Sequence, residues 1–414
     1  LSVTDHDSIH SVGSSDSQES SSQESSAPLH VLIIGGGIGG LCLAQGLTKS
    51  GISVAVYERD TSARFRNQGY RIGVKDTGAR ALHDCLPEHL FNLCVATSIR
   101  QATRMVFTDE QLHPKFSKPI PRVEPGVSGF GVNRLTLREI LLAGLDDVVH
   151  FGKTFHHYQQ TDSGRVRAYF ADGESATADL LVGADGTNSA VRHLLAPDAV
   201  IDELHWAVYG RTPVTAGTVD WVPDVLVDTF NRVIGPSDTA FAVATCRPLE
   251  PVAGAAARLA PGLRLTDMPD YFSWTMPLIE ERLRTADAAT LHRAASDMVD
   301  GWHPAVRRMV AEADAPATFP VCITSARPVR PWDTANVTLL GDAIHTMSPG
   351  RGDGANIALK DARLLRDALV EVVAGRVSLQ RAKARYEAEM LGYGFQAVAD
   401  SLHKPFAPTA RARR

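Results

Sequence analysis

His30-Val-Leu-Ile-Ile34-Gly35-Gly-Gly37-Ile-Gly39-Gly40-Leu41-Cys-Leu-Ala-Gln-Gly-Leu47 changes character at its glycines. Its first five residues form a continuous apolar run rich in β-branched side chains, the pattern of a strand buried on both faces of a parallel sheet. After the glycines, apolar residues recur at helical spacing, and Gly51 is placed to close that helix as its C-cap. Ser53-Val-Ala-Val-Tyr-Glu58 reads as a second strand, so a strand–helix–strand unit fits within about 30 residues. Gly35, Gly37 and Gly40 supply G-x-G-x-x-G between strand and helix. The first glycine permits the tight turn, the second lets backbone approach a pyrophosphate, and the third lets helix and strand pack closely. Free N–H groups and the dipole at the helix start favour that anion. Glu58 lies 18 residues beyond Gly40, where a carboxylate accepts from ribose hydroxyls. An acidic ribose partner disfavours a 2′-phosphate, so these residues point to FAD or NAD, and the adjoining Arg59 decides little between them.

The surrounding composition fits this unit. The chain has 414 residues, 44% hydrophobic and 21% charged, enough to bury a sizeable core and to suggest two or three domains or one composite fold. A net charge of −5 gives no electrostatic footprint for a nucleic acid. Five scattered cysteines, Cys42, Cys85, Cys94, Cys246 and Cys322, form no C-x-x-C pair. They fit a reducing, cytoplasmic setting and predict no metal site. No apolar run reaches the roughly 18 residues of a membrane span. Residues 1–27 are Ser-rich with no apolar core segment, and are expected to be a disordered tail rather than a secretory signal.

Further along, residues 79–86 read as helical and 114–125, rich in proline, as an edge loop. Thr136-Leu-Arg-Glu139 reads as a capping box opening a helix to about residue 145. Alternating segments around 154–160 and 166–170, separated by Asp162-Ser-Gly164 and followed by Ala171-Asp-Gly173, predict a β-meander. From about 200 to 330 strand-like segments at 206–209, 239–245 and 271–276 suggest a mainly antiparallel region. Residues 336–340 read as another buried strand, 355–373 as a long helix and 379–403 as a final one.

Two more motifs sit at strand ends. Asp179-Leu-Leu-Val-Gly-Ala-Asp185-Gly186-Thr-Asn-Ser189-Ala-Val-Arg192 is a strand, a sharp Asp-Gly turn and a helix start. Leu339-Leu-Gly341-Asp342-Ala343 repeats this logic, followed by His345-Thr-Met-Ser-Pro349-Gly-Arg-Gly352-Asp-Gly354-Ala355-Asn356. Small residues there let a helix start approach a ligand, and Asp342 is suited to accept from sugar-type hydroxyls. For Asp185 the plain alternative is a helix cap; for His345 it is a structural histidine in the turn.

The three motifs, in this order and spacing, resemble the class A flavoprotein monooxygenases, which include para-hydroxybenzoate hydroxylase and the tetracycline-inactivating monooxygenases. The resemblance covers about residues 29–403. It implies an α/β, Rossmann-like FAD-binding domain that is discontinuous, with an inserted, mainly antiparallel β-sheet substrate domain and a C-terminal helix. The FAD-binding parts would be 28–100, 131–199 and 331–375. The substrate domain would be 101–130 and 200–330, the closing helix 376–405 and a basic tail 406–414. The resemblance implies bound FAD, with NADPH or NADH arriving transiently near Asp185 and Arg192. Gly35, Gly37, Ile38, Gly39 and Gly40 would hold the pyrophosphate, and Glu58 and Arg59 the adenosine. Arg71 and Arg134 would contact the flavin side, Asp185 would touch FAD, and Gly341 and Asp342 would meet the ribityl chain. Pro349, Gly352, Gly354, Ala355 and Asn356 would lie beside the isoalloxazine. Asp353 departs from the family pattern and is expected to point away from the ring.

The implied reaction inserts one oxygen atom from O2 into a hydrophobic, aromatic or polycyclic small molecule through a flavin C4a-hydroperoxide, in secondary-metabolite tailoring, antibiotic biosynthesis or aromatic degradation. Pro349, Tyr209 and Arg211 are the catalytic candidates, the last two sharing one face of a strand by period-two geometry. Trp206, Phe272, Trp274 and Met276 are candidates for the pocket wall, with core packing as the alternative. A flavin-dependent halogenase, epoxidase or oxidase shares the fold, and a non-catalytic flavin-binding protein is the rival of another class. No second G-x-G-x-x-G follows a strand, so no separate nicotinamide domain is expected. The protein is expected to be a monomer or homodimer.

Overall fold

The computed structural model describes residues 28–62, 70–126, 129–236 and 239–403. The expected tails at 1–27 and 406–414 lie outside the described residues. A five-stranded parallel sheet runs in the order Val337–Leu339, Leu180–Gly183, His30–Ile34, Ser53–Glu58, Val149–Phe151. Its members come from widely separated parts of the chain, so this parallel-sheet domain is discontinuous. Helices Ile38–Lys49 and Gly354–Val373 pack together, and their apolar faces share one large core with the sheet. The first helix ends at Ser50, and Gly51 follows it at φ +71°, the left-handed conformation that suits glycine.

The meander forms as expected, with Phe155–Gln160, Val166–Phe170 and Ser175–Ala178 pairing antiparallel. The inserted sheet has seven strands, ordered Phe319–Ala326, Ile201–Pro213, Tyr271–Leu278, Ala240–Cys246, Thr229–Ile234, Arg104–Asp109, Pro114–Pro119. All its pairings are antiparallel except Thr229–Ile234 with Arg104–Asp109. A second core lies between one face of this sheet and helices Ala288–Met298 and Pro304–Ala311. A ribbon of Arg71–Lys75 and Gly129–Asn133 links the two halves. Helix Leu379–Leu402 closes the chain against Gly354–Val373. Among the described residues, no helix is long and apolar enough to cross a membrane.

Two local expectations are corrected. Pro114–Pro119 is a strand rather than a loop; it is the outermost of its sheet, where prolines without an N–H are tolerated along the unpaired side. Thr136 does not cap a helix. Helix Arg134–Leu142 is capped by Asn133, whose side chain accepts from the Thr136 N–H at 3.0 Å. Glu139 accepts instead from the backbone N–H of Thr266 at 2.7 Å.

The antiparallel sheet predicts a sensitive position. Gly210 faces Trp274 across the ladder, and a Cβ at Gly210 would run into the indole ring. Trp274 is buried and donates from Nε1 to the Thr212 hydroxyl at 3.0 Å, so the ring has little freedom to retreat. Gly210→Ala is expected to destabilise the protein by about 1–3 kcal/mol, the usual cost of overpacking. A lowered denaturation midpoint with unchanged slope checks this.

Candidate functional site

Three parallel strands, His30–Ile34, Leu180–Gly183 and Val337–Leu339, end side by side at the same edge of their sheet. The turns that follow them meet at a cleft of about 500 Å³. Gly35, at φ +111°, and Gly40 are glycines because backbone occupies the space a side chain would take: a Cβ at Gly35 would strike the Ala184 carbonyl, and one at Gly40 the Gly35 carbonyl oxygen. Gly37 differs, since a Cβ there would meet nothing within 4 Å. It faces the cleft at the N-cap of helix Ile38–Lys49, so the packing needs two of the three glycines and an incoming group needs the third. Ile38 and Gly39 also line the cleft.

Beneath this turn lies a charge cluster that sequence reasoning missed. Glu58 lines the cleft but is buried; its carboxylate accepts from the Gly36 N–H at 2.6 Å and the Asp60 N–H at 2.8 Å. Arg138, also buried, donates from Nε to the Gly36 carbonyl at 3.0 Å and lies 3.5 Å from both Glu58 and Asp60. A buried guanidinium is tolerated where carboxylates and carbonyls surround it. Its signal in the sequence was its place one helical turn beyond Arg134, on the same face. Arg134 lines the cleft too, as do Arg59 and Lys153, the last of these paired with Asp172 at 2.6 Å and Glu174 at 2.7 Å.

The second turn is built around Asp185, which lines the cleft and accepts from the Ser189 hydroxyl at 2.5 Å and the Ala190 N–H at 2.7 Å. It therefore braces the start of helix Ala190–Leu195, and burial pushes its carboxyl above the usual range. Arg192 corrects an expectation. It is buried rather than available to a reductant, donating to the Ala343 carbonyl and the Thr187 carbonyl at 2.8 Å each. It ties the second turn to the third.

In the third turn Gly341 and Asp342 line the cleft, as do Gly354 and Ala355 at the start of the long helix. Pro349, Gly352, Asn356 and Arg71 lie outside the lining. Pro349 opens a short 3-10 turn of three residues, and Gly352 caps it at φ +68°. The Asn356 side chain is a brace: Nδ2 donates to the Gly73 and Gly352 carbonyls at 2.8 Å, and Oδ1 accepts from the Lys75 N–H at 2.7 Å. Asp353 forms an ion pair with Lys75, so its carboxylate is turned to that cation. The Arg71 guanidinium lies 5.6 Å over the Phe230 ring, and its Nη1 is buried without a hydrogen-bond partner. His345 is fully buried and bonded to Asp361, as the structural reading expects.

The pocket-wall candidates fall on the other side of the sheet. Phe272, Trp274 and Met276 are buried in the second core, against the helices. Trp206 packs at its margin, bonded to Glu203 at 2.6 Å and covered by Arg284. Period-two geometry puts Tyr271, Ser273 and Thr275 on the opposite face, beside Tyr209 and Arg211. There Tyr209 stacks on Phe319, near Arg134, and burial raises its phenol. Arg211 is already engaged, paired with Asp314 at 2.7 Å and lying over the Tyr70 ring.

Comparisons with known proteins agree with this geometry. A family model described as FAD binding domain matches residues 143–401. Another, described as NAD(P)-binding Rossmann-like domain, matches 33–96, the segment holding the first glycine turn. A dual O-methyltransferase/FAD-dependent monooxygenase of Cercospora beticola is 32% identical over 371 residues, 82% of this chain. The matched region spans only 42% of that longer protein. An FAD-dependent urate hydroxylase of Klebsiella pneumoniae is 30% identical over 348 residues, 81% of this chain and 80% of its own length. The crystal structure of a putative FAD containing monooxygenase from Photorhabdus luminescens superposes with a TM-score of 0.77 at 31% identity, covering 90% of this chain and 96% of that one.

The buried Asp185 yields a pH signature. A carboxyl whose pKa is higher folded than unfolded binds its proton more tightly in the folded state. It favours folding in acid, and that contribution is lost as pH rises from about 4 through the raised value. Asp185→Asn cannot titrate. The thermal midpoint of the apoprotein relative to Asp185→Asn is therefore expected to fall as pH increases from about 4 to neutrality; a difference that is flat or grows over a pH series contradicts this.

Proposed function

The chain belongs to the class A flavoprotein monooxygenase family, and from that membership we propose that it is an NAD(P)H-using hydroxylase that places one oxygen atom from O2 into a hydrophobic, aromatic or polycyclic small molecule. The observation that carries this reading is the meeting of three strand-end turns, each with its own chemistry, at one cleft. The residues fit FAD. Gly37 leaves room at a helix N-terminus for a pyrophosphate, and Arg59 and Arg134 line the cleft with guanidinium groups. Glu58, Asp185 and Asp342 supply oxygens toward sugar-type hydroxyls. When bound, FAD supplies the redox chemistry, taking electrons from a nicotinamide and passing them to O2.

The chain's own part is to bind, orient and exclude water. The Gly35–Gly40 turn, stiffened by Glu58 and Arg138, fixes the dinucleotide end. The start of helix Gly354–Val373 directs N–H groups into the cleft near Gly354 and Ala355, where they favour negative charge on a reduced ring. The sheet face carrying Tyr209, Ser273, Thr275 and Phe319 is proposed to receive the substrate, offering rings for stacking and hydroxyls for orientation. Tyr209 is the preferred group to touch a substrate oxygen, since Arg211 is held by Asp314. The similarity to a urate hydroxylase supports a flat, ring-shaped substrate. The domain limits follow the same reading: FAD-binding parts at 28–100, 131–199 and 331–375, around a substrate domain at 101–130 and 200–330. The five cysteines are free, which supports a cytoplasmic setting; a monomer or homodimer is proposed as the acting form.

The test is to purify the chain and measure bound or reconstituted FAD by its absorbance. Substrate-stimulated oxidation of NADH or NADPH, with isotope from labelled O2 entering the product, is expected. Arg134→Met is expected to weaken FAD binding by about tenfold, the loss of one charge-assisted contact. A protein that cannot be reconstituted with FAD overturns the proposal. Halide-dependent product would assign a halogenase instead, and peroxide without labelled product an oxidase.

A further inference from the structure

Asp361 lies in the middle of helix Gly354–Val373, fully buried and outside the lining of the cleft. Its carboxylate is nonetheless directed at the third turn. Oδ2 accepts from the Gly341 N–H at 2.8 Å and from His345 Nε2 at 2.7 Å, and Oδ1 accepts from the Tyr393 hydroxyl at 2.6 Å. Gly341 holds φ +63° and ψ −145°, a conformation open essentially to glycine alone. Glycine enters this region without strain but is equally free to leave it, so the turn keeps one conformation only where its surroundings hold it, and the bond to Asp361 is such a restraint. The next residue, Asp342, lines the cleft.

The partners of Asp361 are arranged around this bond. His345 Nδ1 is buried without a hydrogen-bond partner, so Nε2 carries the proton and donates it to the carboxylate. Leaving a ring nitrogen unsatisfied costs stability, and the bond to Asp361 is the interaction that offsets it. The last helix contributes two consecutive residues. Tyr393 brings its hydroxyl, with its ring held under Lys360 Nζ at 3.4 Å. Gly394 admits the imidazole, because a Cβ there would stand 2.6 Å from His345 Cδ2. The same helix anchors the strand before the turn, through the Tyr386 hydroxyl to the Leu339 carbonyl at 2.9 Å.

We propose that Asp361, oriented by His345 and Tyr393, is a positioning residue for FAD: it sets the Gly341–Asp342 turn, and through it the last helix governs how tightly the flavin half of the cofactor is held. The inference rests on the FAD reading above. It differs from general stabilisation in predicting an effect confined to one half of the ligand, because the adenosine end meets the Gly35–Gly40 turn on the far side of the cleft.

The experiment uses the full chain, stripped of FAD and titrated by flavin fluorescence quenching, with ADP titrated in parallel by calorimetry. Tyr393→Phe removes one hydroxyl and keeps the ring. It is expected to raise the FAD dissociation constant about tenfold, the value of a hydrogen bond to a charged group, and to change that of ADP by less than about twofold. His345→Leu should follow Tyr393→Phe. His345→Gln retains an N–H donor at the same reach and should stay within about threefold of wild type for FAD. Unchanged FAD affinity in both Tyr393→Phe and His345→Leu overturns the proposal, and so does an equal weakening of FAD and ADP. A wild-type chain that binds ADP but not FAD sinks the parent reading and this inference with it. A wild type that binds FAD, with both Tyr393→Phe and His345→Leu binding it as tightly, sinks this inference alone.

Discussion

Backbone-on-backbone contact between the first two turns is the constraint on which the rest of the structure depends. Gly35 and Gly40 lie so close to the Ala184 carbonyl and to each other that neither position has room for a side chain. The same crowding continues outward. A Cβ at Gly183 would stand 2.6 Å from the Leu339 side chain, and one at Gly39 2.8 Å from Leu340. Three strands can therefore end in register while their turns and helix starts press together, and the cleft is the space left where Gly37 faces open. Its dimensions follow from how tightly its walls are packed.

Charge is used in the same economical way. Arg138 and Arg192 are both buried, and each is matched by acceptors from the turns: Arg138 by Gly36 with Glu58 and Asp60 nearby, Arg192 by Thr187 and Ala343. Breaking a buried pair by removing one partner is far more costly than losing a surface pair. These two side chains hold the turns rigid from behind, while Arg59, Arg134 and Lys153 border the open side. One set of cations shapes the site from behind, and a different set lines it, Lys153 there being paired with Asp172 and Glu174.

Much of this was legible in the sequence because its determinants are local. A glycine needed for a tight turn, or an aspartate at a strand end, announces itself within a few residues, and so the three motifs led to one cleft. What failed was what the third dimension decides. Tyr271-Phe-Ser-Trp-Thr-Met276 alternates, with Phe272, Trp274 and Met276 on one face, but alternation alone did not say whether that apolar face meets a substrate or the helices. Phe272, Trp274 and Met276 turned out to pack there, and Tyr271, Ser273 and Thr275 lie opposite. Prolines at 114 and 119 disguised an edge strand as a loop, because nothing local says which side of a strand lacks a neighbour. Arg192 reads as a surface cation until the Ala343 carbonyl, about 150 residues away, is brought to it. Asn356 and Asp361 were opaque for the same reason: their partners lie on other elements.

The composition of the parallel sheet also sets an order of events. Strand Val337–Leu339 joins Leu180–Gly183, which joins His30–Ile34, so the sheet cannot be completed until the last third of the chain exists. Pairings of such long separation are slow to form, because loop closure precedes the contacts that reward it. On a ribosome the first glycine turn emerges early, yet its neighbour across the cleft is made only after Gly341 and Asp361 have followed. An unfinished chain thus has no complete pocket for a dinucleotide, and exposes the apolar strand 30–34 while it waits. Capture of the cofactor consequently waits until residues 337–361 have been made, and until then strand Leu180–Gly183 has no neighbour on that side.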